Sequence, residues 1–213
     1  MKLFCKREEK PMCGNEEAMA EKAKQEFLEC DHEQLKSKFK LNSDSDNLYI
    51  HFLTETYAIS KTTGDVVKRS TGEAAEHDVM MAIFDMLLNS KASPVLPELS
   101  GTWATLSTLG GIIGASHAAR LHTNDIIAPF VDKVPEFTRV CEQLEGIKQT
   151  KGDVSYILPL FDFFPVWVQF YDADDEFPAT LQFYYDSNAK NFVFFETLFY
   201  CTSYMQKLFA DML

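Results

Sequence analysis

The chain has 213 residues and a net charge of −12, from 20 Lys and Arg against 32 Asp and Glu. A field of that sign repels nucleic-acid phosphates and anionic lipid headgroups, and no basic stripe interrupts it. We therefore expect neither nucleic acid nor a membrane surface as a partner. A hydrophobic fraction of 46% is that of a globular protein. A domain of this length buries roughly 70% of the surface of its unfolded chain, so it can be stable without disulfide bonds or structural metal sites.

The first residues contain no apolar run long enough for a signal peptide. The most apolar segment, residues 155–171, includes Asp162, Pro159 and Pro165, which a membrane-spanning helix does not tolerate. We expect a cytoplasmic protein that forms a single domain over residues 1–213, with residues 1–13 as a candidate disordered tail.

The five cysteines contain no CxxC or CxxH pair and lie far apart: Cys5, Cys13, Cys30, Cys141 and Cys201. Compact zinc and iron–sulfur motifs require such pairs, so we expect free thiols.

Residues 14–40 predict a helix with an apolar stripe, a break at residues 30–32, and a second short helix. Residues 48–59, rich in aromatic and β-branched side chains, predict one strand. A turn and a shorter strand at residues 66–68 are predicted to follow it, which makes a β-hairpin. Residues 77–90 predict a helix with one buried face. We expect residues 101–111 to be extended or irregular, and residues 112–146 to form two or three helices that are interrupted at Pro129 and Pro135.

Three strand-like runs follow Gly152: DVSYILPLF, PVWVQFYD and ATLQFYYD. Their connections are short, which favours antiparallel neighbours and hence a meander. The residues after Asn191 predict a long apolar helix that packs on this sheet. The predicted fold class is α+β, with an antiparallel β meander in the C-terminal half packed against several helices, and with an N-terminal helix and hairpin.

The C-terminal third resembles a bacterial and archaeal family of domains of unknown function that is frequent in anaerobes. Its pattern is a W…D-x-D-E-F-P…F/Y-D signature after a Gly-Asp pair, and the match is good over residues 105–200. The residues that carry the resemblance are Gly152, Asp153, Pro159, Pro165, Trp167, the segment from Tyr171 to Pro178, Tyr185 and Asp186, with Leu109, Gly110, Gly111, Arg120 and Leu121 upstream.

The chain departs from that pattern in two ways. Trp167 lies four residues before the family's usual tryptophan position, where Tyr171 stands instead. Some relatives carry an upstream cysteine motif for an iron–sulfur cluster, and Cys5, Cys13 and Cys30 do not reproduce its spacing. We therefore expect no iron–sulfur cluster, and the resemblance implies a fold more than a function.

The acidic turn, residues 172–178, places four carboxylates within five residues. Like charges at this spacing raise one another's pKa unless a cation neutralises them, and hard divalent ions bind such oxygen clusters. Asp172, Asp174 and Glu176 are therefore candidate ligands for a divalent cation. The alternative is a solvated turn in which some carboxylates cap backbone N–H groups.

Candidate ligand-binding residues are Trp167, Tyr171, Asp172 and Arg120, because aromatic side chains beside charged groups often line small-molecule pockets. His51 alternates with Tyr49 and Leu53 along a strand, which leaves open the face it occupies.

Two functions remain in view. The favoured one is a non-catalytic accessory module that binds a small ligand or a protein partner. The alternative is a divalent-metal-dependent enzyme acting on an anionic small molecule. In that enzyme the acidic turn would bind the metal cation and Arg120 would bind the anionic substrate.

Overall fold

The computed structural model describes residues 14–89, 95–110 and 127–213. Cys5, Cys13 and Arg120 lie outside these ranges, as does the candidate tail. The α-helices are α1 (Gly14–Leu28), α2 (His32–Phe39), α3 (His77–Asn89), α4 (Val134–Gln143) and α5 (Phe195–Met212). Short 3-10 helices span Ala128–Phe130 and Ala189–Asn191, and residues 106–110 are also helical.

The strands form two antiparallel sheets. The N-terminal sheet has the order β1-β2-β3-β4, from Asn42–Ser43, Asn47–Phe52, Glu55–Ser60 and Val66–Lys68. The C-terminal sheet has the order β5-β9-β8-β7-β6, from Trp103–Thr105 (β5), Ile147–Lys148 (β6), Val154–Phe161 (β7), Phe164–Tyr171 (β8) and Thr180–Asp186 (β9).

The α+β class and the C-terminal meander of β7, β8 and β9 are confirmed. The interpretation of residues 48–59 as one strand is wrong, because the chain reverses at Leu53 and Thr54 to form β2 and β3. Leu53 has φ 53° and is buried, and its N–H donates to the carbonyl of Leu160 in β7 at 2.9 Å. A tertiary hydrogen bond and burial thus hold a left-handed leucine in a turn that has no glycine or asparagine.

The predicted interruption at Pro135 agrees with the structure: α4 begins at Val134 and has Pro135 in its first turn, in keeping with the preference of proline for helix starts. One further prediction is wrong. Residues 106–110, predicted as extended or irregular, are helical, and Leu106 and Leu109 both turn into the core.

One hydrophobic core joins the two sheets to the helices. The ring of Phe52 in β2 packs edge-on against Phe161 in β7, with centroids 5.0 Å apart, and lies 5.6 Å from Tyr204 in α5. The predicted packing of the last helix on the sheet is confirmed: the hydroxyl of Tyr185 in β9 lies 2.7 Å from that of Thr202 in α5.

Among the helices that the structure describes, none combines the length and the apolar character that crossing a membrane requires.

Candidate functional site

A polar cavity of about 210 Å³ lies where the N-terminal sheet meets the turn between β7 and β8. Residues of β2 alternate between buried and half-buried, so Tyr49 and His51 share the face opposite the core. Thr56 is the cross-strand partner of His51, and the N–H of Arg69 donates to the carbonyl of Thr56 at 2.8 Å. The register therefore places His51, Thr56 and Arg69 in one row across the sheet, at the cavity.

Arg69 places a guanidinium group at the cavity. Its guanidinium lies over the ring of Tyr49, 4.8 Å from the centroid. Within the described part of the chain, this guanidinium forms no ion pair with any carboxylate. In a protein of net charge −12, an arginine that is stacked on an aromatic ring and lines a cavity is suited to bind an anion.

Asp44 and Tyr49 hold the aromatic surface beneath Arg69. The Tyr49 hydroxyl donates to Oδ2 of Asp44 at 2.5 Å, and the N–H groups of Asp46 and Asn47 donate to Oδ1. The hydrogen bond from Tyr49, with those two N–H donors, lowers the pKa of Asp44 to about 2. The carboxylate therefore stays ionised at any physiological pH and keeps the tyrosine ring in place.

His51 and Asp162 form the other polar side of the cavity. Nδ1 of His51 lies 3.0 Å from Oδ1 of Asp162, and their side chains are 27% and 74% exposed. An ion pair this exposed contributes little to folding stability. The contact does fix the position of one hydrogen. A carboxylate can only accept a hydrogen bond, so Nδ1 of His51 carries the hydrogen of this bond.

An apolar wall completes the cavity. Phe39, at the end of α2, and Phe163, in the β7–β8 turn, have ring centroids 5.2 Å apart. Both rings line the cavity together with Leu41 and Ile50, and Lys40 is a second cationic residue of the lining. These apolar residues are the smaller part of a lining that is mostly polar.

The candidate ligand-binding residues of the C-terminal sheet lie elsewhere. Trp167 donates from Nε1 to Oγ of Ser155 at 3.0 Å and packs against Trp103 and Tyr184, with centroids 5.8 and 5.1 Å away. Tyr171, on the same face of β8, is exposed. Neither residue lines the polar cavity, nor does Asp172. Arg120 lies outside the described residues, so its predicted role stays a prediction.

In the acidic turn, two carboxylates cap backbone N–H groups, which confirms that alternative for them. Asp174 Oδ1 accepts from the N–H groups of Glu176 and Phe177 at 2.8 and 2.7 Å. Asp172 accepts from the N–H of Asp132 at 3.1 Å. Within the described residues no group of three or more His, Cys, Asp or Glu side chains is arranged to hold a metal ion. Binding of a divalent cation by Asp172, Asp174 and Glu176 stays a prediction.

Three residues that carry the family resemblance have local structural roles. Gly152 has φ 88°, and a Cβ there would lie 2.8 Å from the carbonyl oxygen of Phe170. Asp153 accepts from the N–H of Asp172 at 2.8 Å, which joins the start of β7 to the end of β8. Asp186 accepts four hydrogen bonds from the chain around it. These residues shape the sheet ends and do not line the polar cavity.

The comparison with protein families matches residues 31–207 to a domain of unknown function, DUF3786. The chain belongs to this family. The DUF3786 match reaches further towards the N-terminus than the resemblance over residues 105–200, and it includes every residue of the polar cavity. No curated protein and no solved structure matches the chain.

Sequence reasoning missed the site of this DUF3786 domain. Arg69 is separated from Tyr49 by strands β3 and β4 and the turns before each, and Asp162 lies 111 residues from His51. The one local signal was the alternation along β2, which puts two polar aromatic side chains on one face.

Proposed function

We propose that the protein is a binding module for a small anionic molecule with an apolar body, held in the polar cavity. The observation that carries this proposal is the Arg69 guanidinium, which lies over Tyr49 and has no carboxylate partner within the described residues. Phe39 and Phe163 supply the surface for the apolar body.

Electrostatics favour Arg69 as the anchor. The overall charge repels anions at long range, but screening limits that field to about 8 Å at physiological ionic strength. Inside the cavity, a planar guanidinium donates two parallel hydrogen bonds to a carboxylate or a phosphate. The Asp44–Tyr49 pair fixes the ring under the guanidinium, so binding orders little that is not ordered already.

The test is thermal unfolding in the presence of benzoate, acetate or phosphate, each compared with potassium chloride at equal ionic strength. A ligand at 100 times its Kd stabilises the native state by about 2.7 kcal/mol, which raises the Tm of a chain of this length by about 5–10 °C. We expect benzoate to stabilise more than acetate does, because only benzoate covers the apolar wall.

Arg69→Gln removes the charge and should abolish the benzoate-dependent rise in Tm. The matched control is Arg139→Gln: Arg139 lies on α4, is 68% exposed and is 3.8 Å from Glu136. This control should leave the rise unchanged. An unchanged benzoate effect in the Arg69 variant, or no effect in the wild type with any of the three anions, contradicts the proposal.

A further inference from the structure

We infer that the first seven residues of the sequence, MKLFCKR, dock into a second groove, which lies between α1, α3 and the start of α5. This helical groove has a volume of about 360 Å³ and shares no lining residue with the polar cavity. The inference is therefore independent of the proposed function. It is carried by the lining of the groove, which is apolar and acidic, and by the composition of the segment, which is apolar and basic.

The helical groove leaves large apolar side chains in contact with solvent. Met19 on α1 is 40% exposed, and Phe194, the residue before α5, is 57% exposed. Tyr200 of α5 is half-buried and lines the same groove. Apolar side chains that are exposed together along one groove are typical of a surface that another segment or partner covers.

Carboxylates from three helices line the helical groove: Glu26 of α1, Asp85 of α3 and Glu196 of α5. The lining includes one cationic residue, Lys22, whose Nζ lies 3.4 Å from Glu26. Asp85 accepts hydrogen bonds from two neutral neighbours, but neither Asp85 nor Glu196 forms an ion pair within the described residues. A cationic occupant would therefore meet two carboxylates that have no cationic partner.

The first seven residues match this lining. They include Lys2, Lys6 and Arg7 and no acidic side chain, although the chain as a whole has a net charge of −12. Leu3 and Phe4 supply apolar side chains. Complementary charge selects between possible occupants of a surface, so an apolar and basic segment fits this groove better than the acidic remainder of the chain does.

The chain between this segment and α1 is long enough for docking. Residues 8–13 can span up to about 20 Å when extended. The groove residues of α1 run from Met19 to Glu26, at about 8 to 18 Å from Gly14 along the helix axis. A short tether gives an effective concentration on the order of millimolar, so even a weak contact would keep the segment docked for much of the time.

The test is paramagnetic NMR of the full chain, with a nitroxide on Cys5 and carbon-13 in the methionine methyl groups. Cys13→Ser and Cys30→Ser remove two competing thiols. Cys141 and Cys201 are buried, and burial raises the pKa of both thiols, so they do not react with the label.

The diagnostic signal is that of Met81, which lines the groove from α3. We expect it to lose more than about half of its intensity, because the segment is docked for much of the time. The signal of Met212 should stay sharp, since Met212 lies about 18 Å beyond Tyr200 along α5. Met19 is not diagnostic, because it lies on the helix that follows the segment.

Charge reversal tests the contact from both sides. Glu196→Lys changes the groove, and Lys6→Glu with Arg7→Glu changes only the segment; each should restore the Met81 signal. Combining the two reversals should bring part of the broadening back, because the charges are again opposite. The matched control is Asp175→Lys, the same kind of change in the exposed acidic turn, and it should leave the broadening as it is.

A sharp Met81 signal in the wild-type sequence background overturns the inference. Broadening that persists unchanged in both charge-reversed variants also overturns it, because the tether alone then brings the label near α3. In a mixture where the nitroxide and the carbon-13 lie on different chains, the Met81 signal should stay sharp. Broadening there as large as within one chain assigns the groove to the segment of a second copy and overturns docking within one chain.

Discussion

Asp186 at the end of β9 is a buried carboxylate, only 3% exposed, that organises the loop before β5. Its oxygens accept from the N–H groups of Ser100, Gly101 and Asn188 and from the Ser100 hydroxyl, at 2.8–2.9 Å. Desolvation raises the pKa of this carboxyl, but the hydrogen bonds outweigh it, and the pKa is lowered. The place of Asp186 in the family pattern is thus explained by its role in folding, which is to hold the loop before β5.

Asp186→Asn should destabilise the protein at neutral pH, because the amide keeps one accepting oxygen and replaces the other with a donor. Hydrogen bonds to charged groups contribute about 1.5–3 kcal/mol, and we expect a loss of this order in urea unfolding at pH 7. Asp175→Asn is the control, because Asp175 is exposed in the acidic turn.

The loss of unfolding free energy caused by Asp186→Asn should depend on pH, and the direction of that dependence follows from the pKa shift. Because the pKa of Asp186 is lowered in the native state, its stabilisation is present above the unfolded pKa of about 3.9 and is lost as the pH falls through the folded value. The difference in unfolding free energy between wild type and Asp186→Asn should therefore shrink from pH 7 to pH 3. A constant difference would show that the penalty comes from packing and not from the charge.

Elements with a strong local pattern were predicted from the sequence, and those set by tertiary contacts were not. The three C-terminal strands and the helix predicted to begin at residue 77 carry long apolar patterns, and they are confirmed, the helix over His77–Asn89. The β2–β3 turn was missed because its left-handed residue is Leu53, which is held by a hydrogen bond to Leu160 in the other sheet. The polar cavity was missed for the same reason, since its residues come from distant parts of the chain.

One experiment distinguishes the two interpretations of the acidic turn between β8 and β9, cation binding and capping of backbone N–H groups. Asp174→Asn keeps the oxygen that accepts from Glu176 and Phe177 and removes the charge that a cation needs. If the turn binds a divalent cation, Mg²⁺, Mn²⁺, Ca²⁺ or Zn²⁺ should raise the Tm of the wild type by several degrees and leave the variant unchanged. An absence of any shift in the wild type removes the metal hypothesis and leaves the turn with its capping role.

At the scale of the whole molecule, contacts between the two sheets predict that the chain unfolds as one unit. The backbone bond from Leu53 to Leu160 and the ring contact of Phe52 with Phe161 both cross between the sheets. A core shared in this way makes independent unfolding costly, because opening either sheet exposes the apolar face of the other. The prediction of a single domain over residues 1–213 therefore leads to a measurable statement about cooperativity.

Both tryptophans, Trp103 and Trp167, belong to the C-terminal sheet, so their fluorescence reports that sheet alone. Hydrogen exchange of residues 47–60 reports the N-terminal sheet. We expect both probes to give the same unfolding free energy, and Phe52→Ala to lower both by about 3–5 kcal/mol, the usual cost of removing a buried phenylalanine ring. Phe177→Ala, at a site that is 65% exposed, is the control and should change neither. If Phe52→Ala weakens the N-terminal sheet while the tryptophan transition stays in place, the two sheets are separate folding units, and the cavity lies on a boundary that can open.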